Sequence, residues 1–204
     1  MERATCFHRL AVSRRCVMRL LGLFLALLVL LAALLVALHP VPSASGAGGA
    51  ASWSLLGRPS VSATFMDEVL AAYHSPALGI GQALYADGIQ TDIDPAYALA
   101  FFWHESRFGT QGIARFTHSL GNIRCSAGYA CFDGFRAYAT WAAGAADWFH
   151  LIASVYVPAG RTTVPAVVRL YAPPAENDTA AYVCAVESAV STWRAGQLFV
   201  EEGC

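Results

Sequence analysis

The chain contains no lysine. Its 13 cations are all arginines, set against 14 Asp and Glu, and only 13% of its 204 residues are charged. Soluble domains ordinarily carry about twice that share. Disordered chains and nucleic-acid binders normally carry more charge still, so the balance rules out the first and argues against a nucleic-acid partner. Metal-binding spacing is also missing. The six cysteines include no CxxC pair, and His104, His118 and His150 stand singly, so no metal and no cofactor is expected. No Gly-x-Ser-x-Gly elbow surrounds Ser106 or Ser119, which gives neither the setting of a serine nucleophile. No internal repeat is present.

What the chain has in excess is apolar side chains, 56% of the total. Part of that excess lies in Leu20–Leu38, which holds no polar or charged residue. At ~1.5 Å per residue this run reaches ~28 Å, close to the hydrocarbon thickness of a bilayer. Arg3, Arg9, Arg14, Arg15 and Arg19 precede it against the single acid Glu2, whereas eight Arg face thirteen acids from His39 onward. The positive-inside rule then predicts a basic cytoplasmic segment (1–19), a transmembrane signal-anchor (20–38) and an extracytoplasmic remainder. A cleaved signal peptide, leaving a secreted protein, is the competing reading, because small residues follow at 42–47; the run is longer than a usual signal core.

Residues 39–63 contain 18 Ala, Gly, Ser or Pro among 25 and read as a flexible linker. The folded domain is expected over 64–204. Cys125, Cys131, Cys184 and Cys204 fall outside the membrane, where disulfides persist. Of the three possible pairings, the local one, Cys125–Cys131 with Cys184–Cys204, is favoured.

The periodicity of this domain is mostly helical. Thr64-x-x-Asp67 has the form of a capping box. Asp94-Pro95 supplies a cap and a first-turn proline to a helix over Ala96–Arg107 that is apolar almost all round and hence buried. Thr140 is expected to cap a helix to about Val155, Pro165 to start a short one ending near Tyr171, and Asp178 to cap a long one ending at Gly196. Asn177-Asp178-Thr179 has the form of a glycosylation sequon but reads as capping sequence. Asp133-Gly134 between Tyr129–Phe132 and Phe135–Tyr138 reads as a tight β-hairpin. The fold class is therefore mainly α with a small β-hairpin lobe (α+β), a layout resembling lysozyme-like folds, preceded by one N-terminal transmembrane helix.

Glu105 stands out chemically. Phe101 and Phe102 share its helix face, so desolvation is expected to raise its pKa and to favour the protonated form that a general acid needs. The alternative is a surface Glu paired with Arg107 or Arg124. His104, beside it, points about 100° away on the helix. Trp141 and Trp148 read as core residues more readily than as sugar-stacking ones.

The segments Ala98–Gly109, Ser119–Arg124, Phe135–Trp141 and Tyr171-Ala-Pro, in that order, resemble the glucosaminidase family of peptidoglycan hydrolases, which includes domains of the mannosyl-glycoprotein endo-β-N-acetylglucosaminidase type. The likeness runs from about Asp94 to Trp193. It implies Glu105 as catalytic acid, Asn122 on the cleft floor binding a sugar N-acetyl group, and Tyr171 lining the site. Asn122 reads equally well as a left-handed turn residue. Pro173-Pro174 departs from the family's Tyr-Ala-Thr-Asp-like segment. A second acid, which glycosidases normally pair with the first, is not evident. Asp133 is a possible second acid but suits the hairpin turn better, and Glu176 and Asp178 are further candidates. The expected activity is that of a membrane-anchored endo-β-N-acetylglucosaminidase acting on β-1,4 bonds of peptidoglycan. A lytic transglycosylase or muramidase, or a non-catalytic glycan-binding domain, are the alternatives.

Overall fold

Asp94 starts the helix around which the domain is organised. Its Oδ1 accepts from the Ala96 and Ser60 backbone amides, and its Oδ2 accepts from Arg194 at 2.8 Å. The computed structural model describes residues 53–201 and 203–204. In chain order these form α1 (Ala63–Ala72), α2 (Gly81–Thr91), α3 (Pro95–Ser106), the single turn α4 (Ala114–Thr117), β1 (Cys131–Phe132), β2 (Phe135–Arg136), α5 (Trp141–Leu151), α6 (Val164–Tyr171) and α7 (Thr179–Arg194). The domain is mainly helical with one small antiparallel sheet, an α+β arrangement.

Ten of the twelve residues of α3 are buried, as its all-round apolar sequence predicts. It packs chiefly against α7, which turns Tyr182, Val186, Ala189, Val190 and Trp193 inward. Thr140 caps α5 by accepting from the Ala143 amide, and Asp178 caps α7 by accepting from Ala181. The helix after Thr140 does not run on to Val155 as regular α-helix. It widens into a π-helical stretch, Ile152–Tyr156.

The hairpin pairs Cys131 with Arg136 and Phe132 with Phe135. Asp133 and Gly134 both have positive φ, 49° and 82°, as a two-residue turn of this hand requires. An isolated bridge from Arg124 to Phe135 adds a third short run of chain. Cys125 is bonded to Cys131 and Cys184 to Cys204, the local pairing.

Two further expectations need correction, and one helix was not expected. The linker does not extend to residue 63. Leu55 is fully buried, Ser54 bridges to Thr163 and Leu56 to Ile93, so Trp53, Leu55, Leu56 and Val61 outweigh the small residues around them. The capping box at Thr64 does not form either. Ser62 is the cap, accepting from Phe65, while Asp67 Oδ1 accepts from the Gly79 and Gly81 amides and holds the start of α2. Finally, α2 has no counterpart in the sequence reading. Leu20–Leu38 lies outside the described residues. Among the described residues no helix is long and apolar enough to cross a membrane.

Candidate active site

An open groove of about 570 Å³ runs between the hairpin lobe and the α6–α7 connection, with Glu105 on its floor. Helix α3 delivers this residue in its last turn. Arg107 then adopts a left-handed conformation (φ 48°) and ends the helix. Ser106 ties that end to the neighbouring loop, donating to the Leu120 carbonyl at 2.8 Å while accepting from the Gly109 amide at 2.9 Å. Ser119 accepts from the Ile123 amide. Both serines serve the backbone.

Glu105 is half-buried, and two side chains orient its carboxylate. Tyr182 donates its hydroxyl to Oε1 at 2.7 Å, and Asn122 donates its amide to Oε2 at 3.2 Å and to the Glu105 carbonyl at 2.8 Å. Burial raises the Glu105 pKa above its ordinary value; the hydrogen bonds from Tyr182 and Asn122 and the charge of Arg124 offset this only in part. The Tyr182 hydroxyl is itself pushed well above its ordinary pKa by burial and by the Glu105 charge, so it stays a donor. A carboxyl whose pKa is raised by burial holds its proton to higher pH than an exposed one, and beside an open groove it can give that proton to a ligand atom there.

Asn122 has a left-handed backbone, φ 47°, as the turn reading expects, and it lines the groove. Its amide nitrogen holds Glu105, and its Oδ1 is buried without a hydrogen-bond partner. Gly121, just before it, is required by space. A Cβ there would meet Trp148 Cδ1 and Tyr171 Oη, each at 2.7 Å. Tyr171 lines the groove, packs edge-on to Phe101 at 5.4 Å between ring centroids, and donates its hydroxyl to the Gly121 carbonyl.

Asp133 is exposed at the tip of the hairpin and does not line the groove. Its left-handed turn position accounts for it, so the possible second acid in the lobe is not brought to Glu105. Asp178 is occupied as a cap. The other carboxylate that does line the groove is Glu176, which accepts from Arg124 at 3.1 Å, both side chains being largely exposed. Arg124 thus goes to Glu176 rather than to Glu105.

The wall opposite is held by a tighter pair. Arg136 donates to Asp147 at 2.7 Å with both side chains about nine-tenths buried, and Tyr138 donates to the same oxygen at 2.6 Å. His104 stacks on Tyr182 at 3.9 Å, and burial and the Arg107 charge lower its pKa. Trp148 is core, and Trp141 packs half-buried against the ring of His118. Among the described residues no three His, Cys, Asp or Glu side chains gather as metal ligands.

Tyr182 is the site residue that the sequence reading missed as such. Its place on the inner face of α7 was legible, and a buried tyrosine needs a partner for its hydroxyl. Which partner depends on the crossing of α3 and α7, residues 77 apart in sequence. No protein-family model and no curated protein sequence matches the chain.

Proposed function

We propose that this protein is a glycoside hydrolase of the lysozyme-like kind, an endo-β-N-acetylglucosaminidase cutting β-1,4 bonds of peptidoglycan, with Glu105 as general acid. The observation that carries the reading is Glu105 itself, a carboxyl of raised pKa on the floor of an open groove, oriented by Tyr182 and Asn122. The order of short motifs resembling the glucosaminidase family supports the same reading. Two disulfides support an oxidising, extracytoplasmic setting for the domain. Leu20–Leu38 then serves as a membrane anchor, or as a signal segment if it is cleaved.

In this scheme the Glu105 carboxyl protonates the glycosidic oxygen as its bond to the anomeric carbon breaks. Water adds at that carbon and returns a proton to the Glu105 carboxylate, which closes the cycle. The intervening cation is met either by the acetamido oxygen of the sugar or by a second carboxylate. Glu176, on the groove wall, is the residue available for the latter.

The test is incubation of the full-length chain, in mild detergent, with purified peptidoglycan, beside Glu105→Gln. New reducing GlcNAc ends that depend on Glu105 are expected. Reducing or anhydro MurNAc ends would instead assign a muramidase or a lytic transglycosylase. Binding without release by either chain would leave a glycan-binding domain.

A further inference from the structure

Most of the large aromatic side chains of this domain lie inside it: Phe101, Phe102, Phe108, Phe149, Trp148 and Trp193 are at most 1% exposed. Phe116 and Phe132 are 68% and 52% exposed. They nevertheless come together, with ring centroids 6.2 Å apart and planes inclined by 36°. Phe116 sits on α4, whose buried positions are Ala114 and Thr117, so the turn directs Phe116 outward. Phe132 stands directly opposite Phe135 in the hairpin, and side chains directly opposite share one face of a β-ribbon. Phe135 lines the groove that holds Glu105. Phe135 on the groove wall, its cross-strand partner Phe132, and Phe116 thus follow one another, the Phe135 ring lying under the Arg124 guanidinium and the outer two rings meeting each other.

We propose that Phe116 and Phe132 form a stacking platform for the sugar rings of a glycan strand that leaves the Glu105 groove over the hairpin. This rests on the glycan reading given above. The C–H face of a pyranose ring complements the electron-rich face of an aromatic ring. Phe135 lines the groove and Phe132 is its cross-strand partner, so a strand that leaves the groove over the hairpin meets the two exposed rings next. Exposed charged residues, Arg115 and Asp133, flank the two rings in sequence, which suits a hydroxyl-rich ligand. A protein partner of ordinary size takes about 20–30 residues a side, and two rings on a small lobe fall far short of that.

The test measures binding of the full-length Glu105→Gln chain, in mild detergent, to purified peptidoglycan sacculi. Adding Phe116→Ala and Phe132→Ala weakens binding about tenfold at unchanged Tm, since both rings are exposed. Replacing both rings by Trp keeps binding at or above its original level. In the cleaving chain the double Ala substitution slows release from sacculi but not turnover of a short soluble glycan. Should Tm fall in the double variant, Phe116→Arg alone carries the test and must weaken binding at unchanged Tm. Unchanged binding overturns the platform. So does loss of self-association in place of loss of glycan binding, which would make the rings a contact between copies. Binding is read without cleavage, so an absence of hydrolysis would defeat the proposed activity and leave the platform independently tested.

Discussion

Tyr182 donates its hydroxyl to Glu105 Oε1 at 2.7 Å across 77 residues of sequence, joining the inner face of α7 to the last turn of α3. This bond lowers the Glu105 pKa against the larger effect of burial. Tyr182→Phe therefore moves that pKa further up. A general acid is lost as pH rises through its pKa, so the alkaline limb of the pH–rate profile shifts to higher pH in Tyr182→Phe. The carboxyl also loses its orientation, and the maximal rate falls about tenfold. Global stability drops by about 1 kcal/mol, the net worth of one hydrogen bond.

Glu105→Gln tests the same burial through stability. A carboxyl whose folded pKa lies above its ordinary 4.5 favours folding most when protonated. That contribution is fully present below the unfolded pKa and is lost as pH rises through the folded one. The neutral Gln does not titrate, so its Tm relative to wild type rises between acid and neutral pH. Thermal unfolding of both chains across that range reads the difference, and parallel curves would contradict the burial.

Gly121→Ala addresses the loop beneath the site. Its new methyl group would lie 2.7 Å from Trp148 Cδ1 and from Tyr171 Oη. Trp148 is fully buried and cannot retreat. Overpacking of this kind costs about 1–3 kcal/mol, and the displaced Asn122 loosens its hold on Glu105. Denaturant unfolding and the rate on peptidoglycan should fall together.

The choice of second acid is open to a direct comparison. Asp133→Asn keeps a residue that tolerates the left-handed turn, and turnover of a short soluble glycan stays at the wild-type level. Glu176→Gln removes the other carboxylate that lines the Glu105 groove and slows turnover at least tenfold. Equal rates in both variants would point to the sugar's own acetamido group.

The two disulfides should separate stability from function. Cys184–Cys204 spans 20 residues and Cys125–Cys131 spans 6. Loop-closure entropy assigns about 3 kcal/mol to the first and about 2 kcal/mol to the second. Paired Cys→Ala substitution at 184 and 204 lowers Tm more, while substitution at 125 and 131 disturbs glycan binding more, since Cys125 lines the groove.

The sequence disclosed what local chemistry controls. Asp94, Thr140 and Asp178 declare their helices because a side-chain oxygen before an apolar run meets orphan amides, whatever packs around it. The Asp133-Gly134 turn is legible for a similar reason. Helix α2 was not. Gly81 and Gly88 interrupt its pattern, and they are there because a Cβ at either would come within 3 Å of other chain segments, Ala63 O for Gly81 and Ile93 O for Gly88. That need appears only after folding. Residues 53–63 looked like linker because small residues dominate the count, yet one buried Leu55 fixes the segment. At the site, the raised pKa of Glu105 followed from its helix face. Its hydrogen-bond partners required knowing which helices cross.

The burial of α3 on nearly all sides sets where adaptation can occur. Glu105 is seated on the part of the domain with the least freedom, and the amides of that helix should be among the last to exchange with solvent. Entry of a bulky strand must then be accommodated by the margins: a sheet of two residues per strand on one bank, a proline-bearing connection on the other. Evolution of a new preference in this scaffold would proceed by rebuilding the banks around a stationary acid.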